Sequence, residues 1–535
     1  MKKLVCLLLV ACMLCASLVA CNNGGGGGTV DGGEKGDSWA NLDFGGATLT
    51  VSVSKNNPIE TTFQNSAIYM KGPDNENTVD PVQVKVLQRN KKVSNDLNMT
   101  IKYQETNWLY SEVLADVKAL MTDPNAPDVY NNDMRPLFNA MMNGYLWNIT
   151  NPTDKKGNEI KSYFDFDDEC WYKEYMEGAT FSKDKQYILV GDFNIDIVRW
   201  AWVLFVNVDI WDATFGSFTE DDPYYYFRDY ESACETISLT QDWFHDDLIA
   251  LAERALRDGD GGAVEKADLT DDQIGLQLSA ISSRLFTYGS GHSVFEWTKD
   301  GKAVGECEGV PSLVTDTVKL EDVGLSFTKI YNAKGVYNWP GYREEEGAES
   351  INEFIKGKTV MVNATLGEME SPSMRNSDIE VRGILPFPRY SREVELNTLV
   401  HDQAEVSVIL ANSKNFSLAS AYLQYINEES IDILNFYYDE VLKFKYNKSE
   451  GARTMIDLVT DHVASPFEAL MSVQVCSAAG ATGRPGSQYK YLFEIYRDDA
   501  KKNSTTSSFR QVYNAQRSAM QNALKEAYDK FTALK

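Results

Sequence analysis

Between residues 47 and 130 the sequence switches repeatedly between two apolar periods. Ala47–Val53 (ATLTVSV) alternates and is rich in β-branched residues, so it reads as a strand. Pro81–Leu97 carries Val82, Val84, Val86, Leu87 and Val93 at helical spacing. Met99–Tyr103 predicts a second strand. Leu109–Met121 predicts a helix with Leu114, Val117 and Leu120 on one side, and Asp128–Tyr130 a short strand. Strands that alternate with helices predict an α/β fold with a mostly parallel sheet.

The pattern continues. Tyr187–Val190 reads as a strand, and Trp202–Asn207 as a stronger one, nearly continuous in apolar residues as a buried strand should be. Tyr224–Leu256 reads as one helix with Trp243 inside it. Thr359–Asn363, Gly383–Pro386 and Val406–Leu410 read as extended. Leu418–Ile426, Ile431–Tyr446, Gly451–Val463 and Phe509–Leu534 read as helices. Without its first 46 residues the chain keeps about 490, too many for one core, so two or more domains are expected. A formal net charge of -27 argues against nucleic acid and against a polybasic membrane surface.

Lys2 and Lys3 precede the apolar or small run Leu4–Ala20, the parts of a secretory signal. A permanent membrane helix is the alternative. The run is at the lower edge of the length a span needs, and glycines rather than basic residues follow Cys21. Leu18-Val19-Ala20-Cys21 resembles the bacterial lipobox. That resemblance implies removal of residues 1–20 and acylation of Cys21, with residues 21–46 as a lipidated tether. Asn22–Ser38 is rich in Gly and poor in apolar residues, which suits a flexible tether. Beyond it Cys170, Cys234, Cys307 and Cys476 lie far apart, with no CxxC. Three disulfide pairings or four separate thiols fit equally well. The four histidines show no metal-ligand spacing.

Five stretches taken in order resemble the extracellular solute-binding proteins of ABC importers, in the large family that carries oligosaccharides. Asp128-Val129-Tyr130-Asn131-Asn132-Asp133 with Leu137–Ile149 resembles the strand, ligand loop and helix that end in "G-x-L-x-x-I" at Gly144, Leu146 and Ile149. Trp171-Tyr172 through Gly191-Asp192 to Leu204–Asp209 resembles the "W…Y…GD…LFYNKD" crossover region. Lys356–Met361 resembles "F-x-x-G-K-A-x-M", and Gly383–Pro388 resembles "G-I-L-P-Y-P". Phe436–Tyr446 resembles the "YYE-x-x-LK-x-KY" helix. The resemblance implies a two-lobed type 2 periplasmic-binding fold, each lobe a mainly parallel sheet flanked by helices. Lobe 1 is then 47–197 plus 404–440, and lobe 2 is 198–403 plus 441–535. It implies a non-enzymatic monomer, lipid-anchored on the extracellular face of the membrane, that passes a carbohydrate to permease subunits. Crossovers act as hinges, and ligand lies at the carboxyl ends of the strands.

Sugars offer flat apolar faces and rims of hydroxyls, so their sites need aromatic platforms and planar polar groups. Asn131, Asn132, Asp133 and Arg135 follow a strand. Asp192, Asn194, Trp200 and Trp202 surround the first crossover. Arg284, Phe286 and Tyr288 form a mid-chain group, Trp339 lies on a loop, and Thr365 and Glu368 follow a strand. The competing roles are plain. Asn131 and Asp133 suit a helix cap, Trp200 and Trp243 suit a core, and Arg284 suits a surface ion pair. The acidic loop Asp258–Asp272 offers Asp258, Asp260, Asp268, Asp271 and Asp272 as weak candidates for a structural calcium. Gly262 breaks the EF-hand pattern, and a solvated loop is the preferred reading. No cofactor is required. A secreted glycoside hydrolase and a binder of a non-sugar solute such as a peptide are the alternatives. The chain carries no G-x-S-x-G, H-E-x-x-H or P-loop.

Overall fold

The computed structural model describes residues 39–54, 67–74, 80–106, 111–154, 156–259, 272–279, 282–339, 344–379, 382–445, 449–471, 492–493, 496 and 508–534. The leader, Cys21, the glycine tract, Cys476, Asp260, Asp268 and Asp271 lie outside these residues.

Strand β1 (Ala47–Ser54) is followed by the helix Pro81–Asp96, β2 (Met99–Thr106), the helix Val113–Leu120 and β3 (Val129–Asp133). The first helix starts where its sequence dictates. The Asp80 carboxylate accepts from the Val82 and Gln83 amides at 2.9 and 3.2 Å, and Pro81 stands at the first helical position. Further strands follow in order: β4 (Trp202–Asn207), β5 (Ile274–Leu278), β6 (Phe295–Lys299), β7 (Lys302–Val304), β8 (Val310–Leu313), β9 (Val336–Asn338), β10 (Thr359–Thr365), β11 (Arg382–Leu385) and β12 (Glu405–Ile409).

Three sheets result, ordered β12-β3-β1-β2, β11-β4-β10-β5-β9 and β7-β6-β8. In the first, β1 is parallel to β2 from Ala47↔Met99 to Ser54↔Thr106, and to β3 at Val51↔Val129. Only β12 runs against its neighbour. In the second sheet β4 alone is reversed, antiparallel to both β10 and β11, while β5 is parallel to β10 and β9. Both reversed strands come directly after a passage between lobes. A strand that enters from the junction starts at the edge where the others end, so it must run the opposite way.

Two hydrophobic clusters define the lobes. Leu49, Val51, Val129, Leu137 and Val408 lie in the first; Leu204, Val206, Trp211, Leu276 and Val362 lie in the second. Three passages between them, in chain order, are Trp200–Ala201, Phe387–Val400 and Ile426–Ile433; the chain also crosses at Phe286–Tyr288, Val323–Phe327 and Val459–Phe467. Residues 288–323 and, among the described residues beyond 466, Phe467, Leu470, Met471, Leu492, Phe493, Tyr496 and Phe509–Phe531, expected with lobe 2, bury side chains in the first cluster. Phe467 explains this. Its ring meets Phe181 at 5.7 Å, Phe295 at 5.6 Å and Trp297 at 5.0 Å, so the small third sheet and the C-terminal chain share the apolar surface of segment 175–190.

Other expectations change too. Tyr187–Val190 is buried but forms only an isolated bridge, Leu189↔Ser407, rather than a ladder. The long helix 224–256 is two helices, Tyr230–Thr240 and His245–Ala255, separated where Gln241 adopts a left-handed φ of 52°. Trp243 therefore sits in a connection. It is fully buried and its indole N–H donates to the Pro386 carbonyl at 2.9 Å. The predicted Leu109–Met121 helix spans Val113–Leu120. Ile431–Phe436 continues as wider π-helical turns over Tyr437–Lys445. Cys170, Cys234 and Cys307 are free, buried thiols.

Candidate functional site

Ser54, Thr106 and Asp133 end the three parallel strands of the first sheet, and Glu405 opens β12 directly opposite Asp133. The carboxyl edge of this sheet is thus a row of polar side chains, all buried. Ser54 donates to the Glu405 carboxylate. Asn131 donates to the Ser52 carbonyl at 2.6 Å and accepts from the Ser407 hydroxyl, so it ties β1, β3 and β12 together. Asn132 accepts from the Asp133 amide at 2.9 Å. Neither Asn131 nor Asp133 makes a side-chain cap to the helix Met134–Met142. Asp133 Oδ2 is buried and, among the described residues, has no hydrogen-bond partner. Burial, with the neighbouring Glu405, pushes its carboxyl well above the usual range, and Arg135 opposes this.

Beneath this edge two passages between the lobes run side by side. Ala201 bridges Val400, the Trp202 amide donates to the Leu399 carbonyl at 2.9 Å, and the His401 amide donates to the Trp200 carbonyl at 2.9 Å. The His401 ring lies 5.1 Å from Trp200 and 5.4 Å from Trp202. Burial lowers His401 to about 4, so it is neutral at pH 7. Arg135, in the first turn of the helix Met134–Met142, donates from its Nε to Asp402 Oδ2 at 2.6 Å. Burial alone would raise Asp402, but Arg135, His401 and Arg284 outweigh it and hold the carboxyl at about 2.

Two small cavities mark the junction. One, about 10 Å³, is lined by Tyr69, Asn131, Phe193, Asn194, Asp196 and Glu405. The other, about 30 Å³, brings together Trp202, Arg284, Tyr288, Leu399, His401 and Asp402. Such volumes hold roughly one or two waters. The lobes are therefore shut on their own side chains, and a larger solute enters only when they part. A wider groove of about 620 Å³ lies on the second lobe, lined by Phe244, His245, Asp322, Ser326 and Tyr390 among others.

The other expected residues are dispersed. Asn194 lies at the first cavity and donates to the Glu405 carbonyl. Asp192 is buried beside Tyr172, and burial raises its carboxyl to about 7 against that hydrogen bond. Trp200 belongs to the packed junction. Phe286 packs on Phe327 and Phe387 inside the second cluster, away from the ligand-facing role expected of it. On the second sheet Thr365 ends β10. Trp339 follows β9, its indole N–H donating to Gln277 Oε1 at 3.0 Å. Glu368 lies in the short helix Leu366–Glu370. Asp272 accepts from the Gly259 amide at 3.2 Å, next to Asp258. Among the described residues no three His, Cys, Asp or Glu side chains could hold a metal ion.

Sequence reasoning missed a buried network at the same junction. Arg199 pairs with Asp196 at 3.0 Å and with Glu370 at 3.1 Å, and Tyr437 donates to Glu370. Tyr69 stacks under Arg199, whose guanidinium carbon is 5.0 Å from the ring centre. These residues join the first passage, the end of β10 and the third passage. Only the i, i+3 spacing of Asp196 and Arg199 was visible in advance.

No protein-family model and no curated protein matches the chain. Two solved structures share its architecture, each with a TM-score of 0.51. One is the galacto-N-biose/lacto-N-biose I-binding protein of the ABC transporter from Bifidobacterium longum, 12% identical, covering 91% of this chain and 98% of that one. The other is the cyclic α-maltosyl-1,6-maltose-binding protein from Arthrobacter globiformis, 13% identical, covering 90% and 100%. At such identity the likeness is one of fold. The chain has the two-lobed α/β architecture of periplasmic-binding-type proteins.

Proposed function

We propose that this chain is the solute-binding protein of an ABC importer, and that it captures an oligosaccharide or other sugar between its lobes and passes it to permease subunits. The observation that carries the reading is the junction itself. Polar groups at the carboxyl edge of the first sheet, including Asn131, Asp133 and Glu405, stand over paired passages edged by Trp200 and Trp202, in a fold shared with two saccharide-binding proteins. Aromatic rings beside planar polar side chains suit sugar faces and hydroxyls. Capture needs no bond-breaking step, and none is assigned to these residues.

In the same reading Cys21 carries lipid and residues 22–38 give slack, and the folded part works as a monomer outside the cell. The tether expected over 21–46 is shorter, because Trp39 is buried in the first cluster, donates to Glu428 at 2.7 Å and stacks on Tyr425 at 5.0 Å. Among the described residues no helix is long and apolar enough to cross a membrane. A thermal-shift screen tests the function, because a ligand that binds only the folded state raises its melting temperature by mass action. Oligosaccharides should raise it, while peptides and amino acids should not. Stabilisation by peptides alone, or turnover of a chromogenic glycoside, would overturn the reading.

A further inference from the structure

Among the described residues, Asp133 presents at the carboxyl edge of the first sheet a buried carboxyl oxygen with no hydrogen-bond partner. The charges near it are Glu405 opposite on β12, Arg135 on the following helix, and Asp402 and Asp196 at the junction. The two nearby arginines are engaged elsewhere. Arg135 is paired with Asp402, and Arg199 with Asp196 and Glu370. Asp133 and Asn131 are two apart on β3 and so share a face of the sheet. Asn131 and Glu405 both line the first cavity, and Asp133 is the cross-strand partner of Glu405.

A divalent metal does not fit, since no metal-holding group of three acids exists among the described residues. An ammonium group asks less: one carboxylate and neighbouring acceptors, with strong charge-assisted bonds. Resting on the function proposed above, we infer that Asp133 receives a protonated amine of the captured solute, so that the natural ligand is an amino sugar rather than a neutral saccharide. Burial of Asp133 favours the protonated, neutral acid. When an ammonium arrives, the carboxyl O–H proton leaves to solvent and the carboxylate forms an ion pair with the amine. Binding releases the proton wherever Asp133 holds it beforehand, and no covalent bond to the ligand changes.

Titration calorimetry with glucosamine di- to tetrasaccharides and their N-acetylated counterparts tests this. The amino form should bind at least about tenfold more tightly, a difference of roughly 1.4 kcal/mol. Its binding enthalpy at pH 7 should vary with the buffer's ionisation enthalpy as proton release requires. Asp133→Asn should abolish the preference. The buffer series uses the unaltered protein, so it stands even if that variant does not fold. Equal or tighter binding of the N-acetylated sugars overturns the inference and leaves sugar capture intact. Binding of no saccharide at all overturns both.

Discussion

Gly191 and Asp192 show how steric and electrostatic demands meet in two residues. A Cβ at Gly191 would collide with Asn427 and the Cys170 carbonyl, so only glycine lets this turn lie against the third passage between lobes. Asp192 then falls into a buried site, where its carboxyl is raised to about 7 and Tyr172 is its hydrogen-bond partner. The sign follows directly. Between the ordinary carboxylate value near 4 and about 7, the native state holds a proton that the unfolded chain does not, so Asp192 costs stability as pH rises through that window. The gap between Asp192→Asn and the unaltered protein should shift in favour of the variant by roughly 1.4 kcal/mol per pH unit from about pH 4 to 7, and stay level above. Urea melts at each pH measure it, and a gap independent of pH would contradict the burial assigned to Asp192. At this scale the motif was legible in sequence, but the partners were not. Asn131 was recognisable as a strand-end residue, yet Ser407, which binds it, is 276 positions away.

Strands were the most readable elements. β4 and β10 announced themselves as apolar runs, and all of β10 is buried. Helix boundaries were harder. Tyr230–Thr240 and His245–Ala255 bury their faces in one cluster, so the helical period carries across the left-handed break at Gln241. The C-terminal helix Phe509–Thr532 was visible as a helix, but its docking surface was not, since periodicity reports an apolar face and not its partner. Phe531 packs 5.3 Å from Phe181 and 6.1 Å from Tyr187, both in the first lobe. Phe531→Ala should therefore cost about 3–5 kcal/mol. Hydrogen exchange should show protection lost in segment 179–190 while β10 keeps its own. A cost below about 1 kcal/mol would mean that this helix does not brace the first lobe.

The whole molecule is two cores joined by passages that lie side by side at the base of a shut cleft. The reversal of β4 and β12 follows from their entry at that junction, so the topology and the hinge are one feature. Fold class was legible from the alternation of strands and helices. The site was legible only as a region, because its charges come from parts of the chain far apart. Asp196–Arg199–Glu370–Tyr437 and Arg135–Asp402 each join segments that no local pattern connects. The central claim is that these lobes part and close around a saccharide. Small-angle X-ray scattering with and without a saturating oligosaccharide identified by thermal shift measures this most directly. The account predicts a smaller radius of gyration with ligand, approaching the profile calculated from the shut structure, and a larger one without. Identical profiles in both states, with binding shown independently, would contradict it.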